Sequence, residues 1–184
     1  MTDIKPFLRR NIVDKAYHSV AQYLDIQFRL LREDFIAPLR KGICRYLKNI
    51  NLPRNERKKI EGIKINNNVK FVNVDTVNDY DCYKIQLDVS KWKKNYSFEK
   101  SKRFMYGSLV CFTNDGFKTV LVGQIVERDL KLLQKGFLTV GFRDSCAINY
   151  DTYYVMVEST VYFEPYYHVS KCIFQLVLTL VKQV

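Results

Sequence analysis

The sequence predicts an α+β fold with an N-terminal helical pair, a small antiparallel β-barrel and a C-terminal helix. Three observations carry that expectation. Apolar residues recur every three or four positions through residues 1–61, alternate through 62–161, and return to helical spacing over 162–184. A chain of 184 residues is long enough for these three segments to pack as one unit.

In the first segment Tyr17, Val20, Ala21, Leu24, Phe28, Leu31 and Phe35 form one face of a helix. Pro38 disfavours helical geometry at Ala37, which predicts a break near Ile36 and a second helix with the proline in its first turn. Leu39, Ile43, Tyr46, Leu47 and Ile50 then restart the stripe. The run "RLLRED" sits largely off the apolar line, and Arg29 and Glu33 are spaced to pair along the helix. The polar stretch "NLPRNERKK" reads as a connector to the second segment.

The period then changes to two. "VKFVNVDTV" alternates at Val69 and Phe71 and then shifts, whereas "YKIQLDV" puts Tyr83, Ile85, Leu87 and Val89 on one face. "YGSLVCF" and "KTVLVGQIV" flank Asn114-Asp115-Gly116, which is turn chemistry for a hairpin. "GFLTVGF" and "YYVMVESTVYF" complete five to seven short strands, the pattern of a small barrel or strongly curled sheet. From Tyr162 on, Val169, Ile173, Leu176, Val177 and Leu180 outline the final helix.

One stretch interrupts the strands: "SKWKKNYSFEKSKRF", Ser90 to Phe104. It interleaves Lys91, Lys93, Lys94, Lys102 and Arg103 with Trp92 and Tyr96. Lysines neutralise phosphates while aromatic faces stack on bases, so these seven residues are the candidates for RNA binding. The competing reading is a solvated loop that its one tryptophan anchors to the barrel. The net charge of +11 fits an acidic partner, and residues 1–60 hold most of it, 14 Lys/Arg against 6 Asp/Glu.

Other chemistries find little support. The chain contains no G-x-x-x-x-G-K-[ST] loop to cradle phosphates and no G-x-G-x-x-G. His18 and His168 are the only histidines, and no G-x-S-x-G or H-E-x-x-H occurs. Five cysteines lie 26 to 38 residues apart without any C-x-x-C pair, so neither zinc nor another cofactor is expected. An odd number of thiols and the lack of a secretory h-region predict an intracellular protein, cytoplasmic or nuclear. "CIFQLVLTLVKQV" is too short an apolar run to span a bilayer, so no membrane partner is expected. Nothing points to a small-molecule substrate.

"YLDIQFRLLREDFIAPLRKGI", "YGSLVCFTNDGFKTVLVGQIVERD" and "YYVMVESTVYFEPYYHV" resemble, in order and spacing, a region of the NFX-type zinc-finger-containing helicases. These are Upf-like superfamily 1 RNA helicase relatives. The resemblance runs from about Tyr17 to Phe174, and "LREDF" and "VYFEPYYHV" carry most of it. It implies a β-barrel flanked by helices just ahead of a helicase core, in a context of RNA silencing, surveillance or antiviral defence. The phosphate-binding loop and the cysteine-rich fingers of that family have no counterpart here, so no catalytic residue carries over. The implied role is a non-catalytic RNA-associated module, with the helicase core or another protein meeting the Tyr23–Ile43 region. The alternative is a protein–protein interaction scaffold with a basic docking surface.

Overall fold

The structure, a computed structural model, describes residues 7–53, 60–77, 80–90, 92, 97–142 and 147–161. A long helix α1 (Val20–Ile50) precedes strands β1 (Ile63–Val77), β2 (Tyr80–Gln86), β3 (Leu109–Thr113) and β4 (Leu121–Glu127). A one-turn helix α2 (Leu130–Gln134) then leads into β5 (Phe137–Phe142) and β6 (Tyr154–Ser159). The six strands close into a barrel in the order β1-β2-β5-β4-β3-β6, every neighbour antiparallel.

That order makes two connections cross over. The chain from β2 to β3 passes two strands at one end of the barrel, and the chain from β5 to β6 passes two at the other. The interrupting basic stretch is the first of these crossings. Because β4 also leaves and β5 also enters at that end, α2 lies there too.

Inward residues alternate as the period-two reading requires. Val69, Phe71, Ile85, Val110, Phe112, Ile125, Leu138, Val140, Tyr154 and Met156 fill the core. Phe71 is its hub, with the Phe112 and Tyr154 rings each 5.1 Å away. Such rings bury roughly 150–250 Å² apiece and prefer these tilted and edge-on contacts. The shift after Phe71 is a bulge, where the β1–β2 register slips between Phe71 and Asn73. The hairpin at Asn114-Asp115-Gly116 joins β3 to β4. Donors from Thr119, Thr113 and Lys118 hold the Asp115 carboxyl down to about 2, and Gly116 and Phe117 take positive φ.

The helical pair is instead one continuous helix that runs through Pro38. A proline forfeits one backbone hydrogen bond and strains the turn before it. Here both sides are secured from outside. Leu39 and Ile43 pack on Ile63, Val157 and Cys111 of β1, β6 and β3 and on Phe117 of the β3–β4 hairpin. Arg40 reaches back across the proline to pair with Glu33. The helix begins at Val20 rather than Tyr17, because the Ser19 hydroxyl accepts from the Gln22 N–H at 3.1 Å. The Gln22 side chain in turn accepts from the His18 N–H at 3.0 Å. Arg29 pairs with Asp25 at 2.7 Å, not with Glu33.

The helix comes close to the barrel because Gly42 lacks a side chain: a Cβ there would lie 2.6 Å from Cγ2 of Ile63. At Gly62, where φ is +83°, the entering strand turns against Pro38, whose carbonyl oxygen would be 3.0 Å from an added Cβ. The helix expected from Tyr162 onward lies outside the described residues. Helical spacing over so short a run did not announce α2, although Asp129 caps it and Gly136 succeeds it at a φ of +88°.

Candidate nucleic-acid interface

The β2–β3 crossing closes one end of the barrel with its aromatic residues. Phe98 and Phe104 are buried members of the core, together with Leu133 of α2. Trp92 is half-buried against them, its ring 4.9 Å from that of Phe98 and 6.3 Å from that of Phe104. These three rings leave water because they plug the barrel, which accounts for the interleaving of aromatic with basic residues.

The plug is tied down by charge. Glu158, 2% exposed, lies on the inward face of β6. It accepts from Nε of Arg103 at 3.0 Å and from the backbone N–H of Phe104. The Arg103 guanidinium also donates to Oδ1 of Asn66 at 2.8 Å and lies 4.4 Å from the centre of the Phe104 ring. Burial pushes the Glu158 carboxyl up, while the Arg103 charge pulls it back. A second arginine, Arg128 at the end of β4, donates to the carbonyls of Phe98 and Ser101. Nε of Arg128 and Nδ2 of Asn66 are buried with no partner among the described residues.

The seven candidate residues therefore fall into three groups. Lys91, Lys93, Lys94 and Tyr96 lie outside the described residues. Lys102 is exposed, as is Lys100 beside it. Trp92 and Arg103 belong to the plug: the first packs on two rings, and the second is occupied by Glu158 and Asn66. A ring held in the core offers little free face to a base, and a paired guanidinium little charge to a phosphate.

Sequence reasoning missed Glu158 and Arg128. Glu158 had a legible signal, since in "YYVMVEST" it comes after Tyr154 and Met156 on the same strand face. An acid on an inward face requires a partner. Arg128 had none.

Among the described residues no group of three or more His, Cys, Asp or Glu could hold a metal ion. Cys82 and Cys111 are buried, and burial pushes the Cys111 thiol up to about 12, which makes it an inert packing residue beneath α1. Among the described residues no helix is long and apolar enough to cross a membrane.

The profile of the ZNFX1 domain matches residues 58–160 of this sequence. The chain belongs to the ZNFX1 domain family. Its relatives include NFX1-type zinc finger-containing protein 1 of Mus musculus and of Homo sapiens, each 37% identical over 172 residues. Those alignments take in 91% of this chain and 9% of each relative. The helicase required for RNAi-mediated heterochromatin assembly 1 of Schizosaccharomyces pombe is 33% identical over 174 residues, 89% of this chain and 16% of that protein. The chain thus spans a small fraction of the length of the curated relatives it matches. The ZNFX1 domain match opens just ahead of β1 and closes one residue after β6, so it takes in the barrel together with Arg103, Arg128 and Glu158.

Proposed function

We propose that this chain is a non-catalytic, RNA-associated module of a helicase of the NFX1-type zinc-finger kind. The observation that carries the reading is the basic crossing on a fixed aromatic plug, with Lys100 and Lys102 exposed beside buried Phe98 and Phe104. Two further points support it: the net charge of +11, and the word helicase in the name of the S. pombe relative. In this reading Lys91, Lys93, Lys94 and Lys102 meet phosphates and Tyr96 meets bases, while Trp92 and Arg103 keep the segment in place. ATP-driven remodelling belongs to a helicase core. Residues 1–61, 62–161 and 162–184 act as one unit that needs no cofactor.

The test is fluorescence anisotropy of the purified chain with labelled single- and double-stranded RNA across a salt series. Counterion release makes affinity fall steeply with salt, by a log–log slope of about 0.7 per phosphate contact for single strands. The Lys93→Ala/Lys94→Ala double variant is expected to bind all RNA sequences more weakly and to flatten that slope. Absence of binding at low salt rejects the reading.

A second reading has its own observation. An open groove of about 560 Å³ beside Pro38 is lined by Leu30, Glu33, Asp34, Ala37, Lys41 and Arg45 of α1. Its mixed charge and apolar floor suit a protein, either the helicase core or another partner docking on the Tyr23–Ile43 region. Loss of that partner's binding in a Lys41→Glu/Arg45→Glu variant, with RNA affinity retained, would favour it.

A further inference from the structure

The turn after the plug, residues 102–107, is held in a strained shape. Phe104 has a φ of +53°, a left-handed conformation that a bulky side chain adopts only when its surroundings impose it. Here they do. The Phe104 ring is fully buried in the barrel, and its N–H donates to Glu158. Three residues on, Gly107 has a φ of +78°; its N–H donates to the Ile125 carbonyl at 2.8 Å and its carbonyl accepts from Nε2 of Gln124 at 3.2 Å. The turn is pinned at both ends.

Between the two pins stands Tyr106. It is 52% exposed. Among the described residues its ring meets no other ring and its hydroxyl has no hydrogen-bond partner. Four positions before it, Lys102 projects into solvent without an ion-pair partner among the described residues. The other exposed lysines that the topology places at this end of the barrel include Lys64, Lys100, Lys131 and Lys135. Of the acids at this end, Glu127 accepts from Thr139 and Asp129 caps α2, while Glu61 and Glu99 are exposed.

From this we infer that Tyr106 is a base-stacking residue of the module in addition to Tyr96, with Lys102 as a phosphate contact near it in the chain, and that the ligand is single-stranded RNA. The inference rests on the RNA reading above and adds to it an aromatic contact outside the "KWKKNY" stretch. A rigid backbone that displays an unpaired ring, with an exposed lysine four positions earlier, suits stacking on an unpaired base. The ring is already placed, so little entropy is lost when a base lands on it. Trp92, by contrast, is half-buried against Phe98 and Phe104 and has less of its ring to offer. A paired base has both faces covered by its neighbours, so the ring discriminates against duplex.

The test uses the full chain and two fluorescein-labelled probes, an unstructured single-stranded RNA and a blunt RNA duplex. Tyr106→Ala is expected to weaken single-strand binding about tenfold, to leave duplex binding within about twofold, and to leave the salt slope unchanged. Tyr106→Phe is expected to retain the wild-type affinity. Lys102→Ala is expected to flatten the slope by about 0.7. The emission of the sole tryptophan, Trp92, checks that each variant keeps its plug. Wild-type binding together with an unchanged Tyr106→Ala affinity overturns this inference alone. A wild-type chain that binds neither probe at low salt overturns the RNA reading and this inference with it.

Discussion

Glu158 shows how one residue sets the geometry of the barrel end. Its two carboxylate oxygens are used separately, one for the Arg103 guanidinium and one for the strained Phe104 N–H. Removing one partner of a buried pair is far more damaging than neutralising it in place, because the remaining charge is stranded. Glu158→Gln is the neutralising change: its amide oxygen accepts from one of the two donors while its NH2 faces the other, a loss that does not vary with pH. Burial raises the folded-state pKa of Glu158 above the ordinary 4.5, so the native state holds this proton more tightly than the unfolded chain does. Its contribution to stability is complete below the unfolded pKa and is lost as pH rises through the folded one. The melting temperature of Glu158→Gln relative to wild type is therefore expected to improve as pH rises from about 4 toward 8. Thermal scans at intervals across that range check this. A gap that moves the other way would mean that attraction to Arg103 outweighs desolvation.

At the scale of the element, α1 is a helix whose two halves are secured differently. The half after Pro38 lies along the barrel through Leu39, Ile43 and the close approach at Gly42. In the half before it, Leu24, Ile26 and Phe35 are buried, while Val20 and Tyr23 remain exposed. A local rule predicts a break at Pro38, and tertiary docking overrides it, as it commonly overrides propensity. Gly42 is the position on which the docking turns. A methyl group at Gly42→Ala gains helix propensity of roughly 1 kcal/mol but has to displace the buried Ile63 side chain, an overpacking cost of about 1–3 kcal/mol. The expected outcome is a lower melting temperature, restored by adding Ile63→Val, which removes part of the obstruction. A Gly42→Ala variant more stable than wild type would show that the helix can lift from the barrel at no cost.

Across the whole molecule, what the sequence made legible was what repeats. The period-two runs located the strands, the shift after Phe71 marked the bulge, and Asn114-Asp115-Gly116 marked the hairpin. The strand order was not legible, because register between distant strands is decided by packing, nor was the pairing of Arg103 with a glutamate 55 positions away. For the same reason "KWKKNYSFEKSKRF" left two readings open, a basic–aromatic surface and a loop anchored by its tryptophan; the fold packs Trp92, Phe98 and Phe104 on the barrel end and leaves Lys100 and Lys102 outside. That division makes a molecular prediction about charge. Lys48 and Lys118 lie at the opposite end of the barrel, by the β3–β4 hairpin that Leu47 and Ile50 adjoin. At roughly 3.3 Å per residue β3 alone separates the two ends by about 15 Å, twice the Debye length of about 8 Å at physiological salt but half the roughly 30 Å at 0.01 M. Lys100→Gln/Lys102→Gln and Lys48→Gln/Lys118→Gln each remove two charges. Near 0.15 M salt the first pair is expected to weaken single-stranded RNA binding about tenfold or more and the second less than twofold; at 0.01 M the two losses are expected to converge. Equal losses at physiological salt would mean that RNA responds to the net charge of +11 and not to the basic end of the barrel.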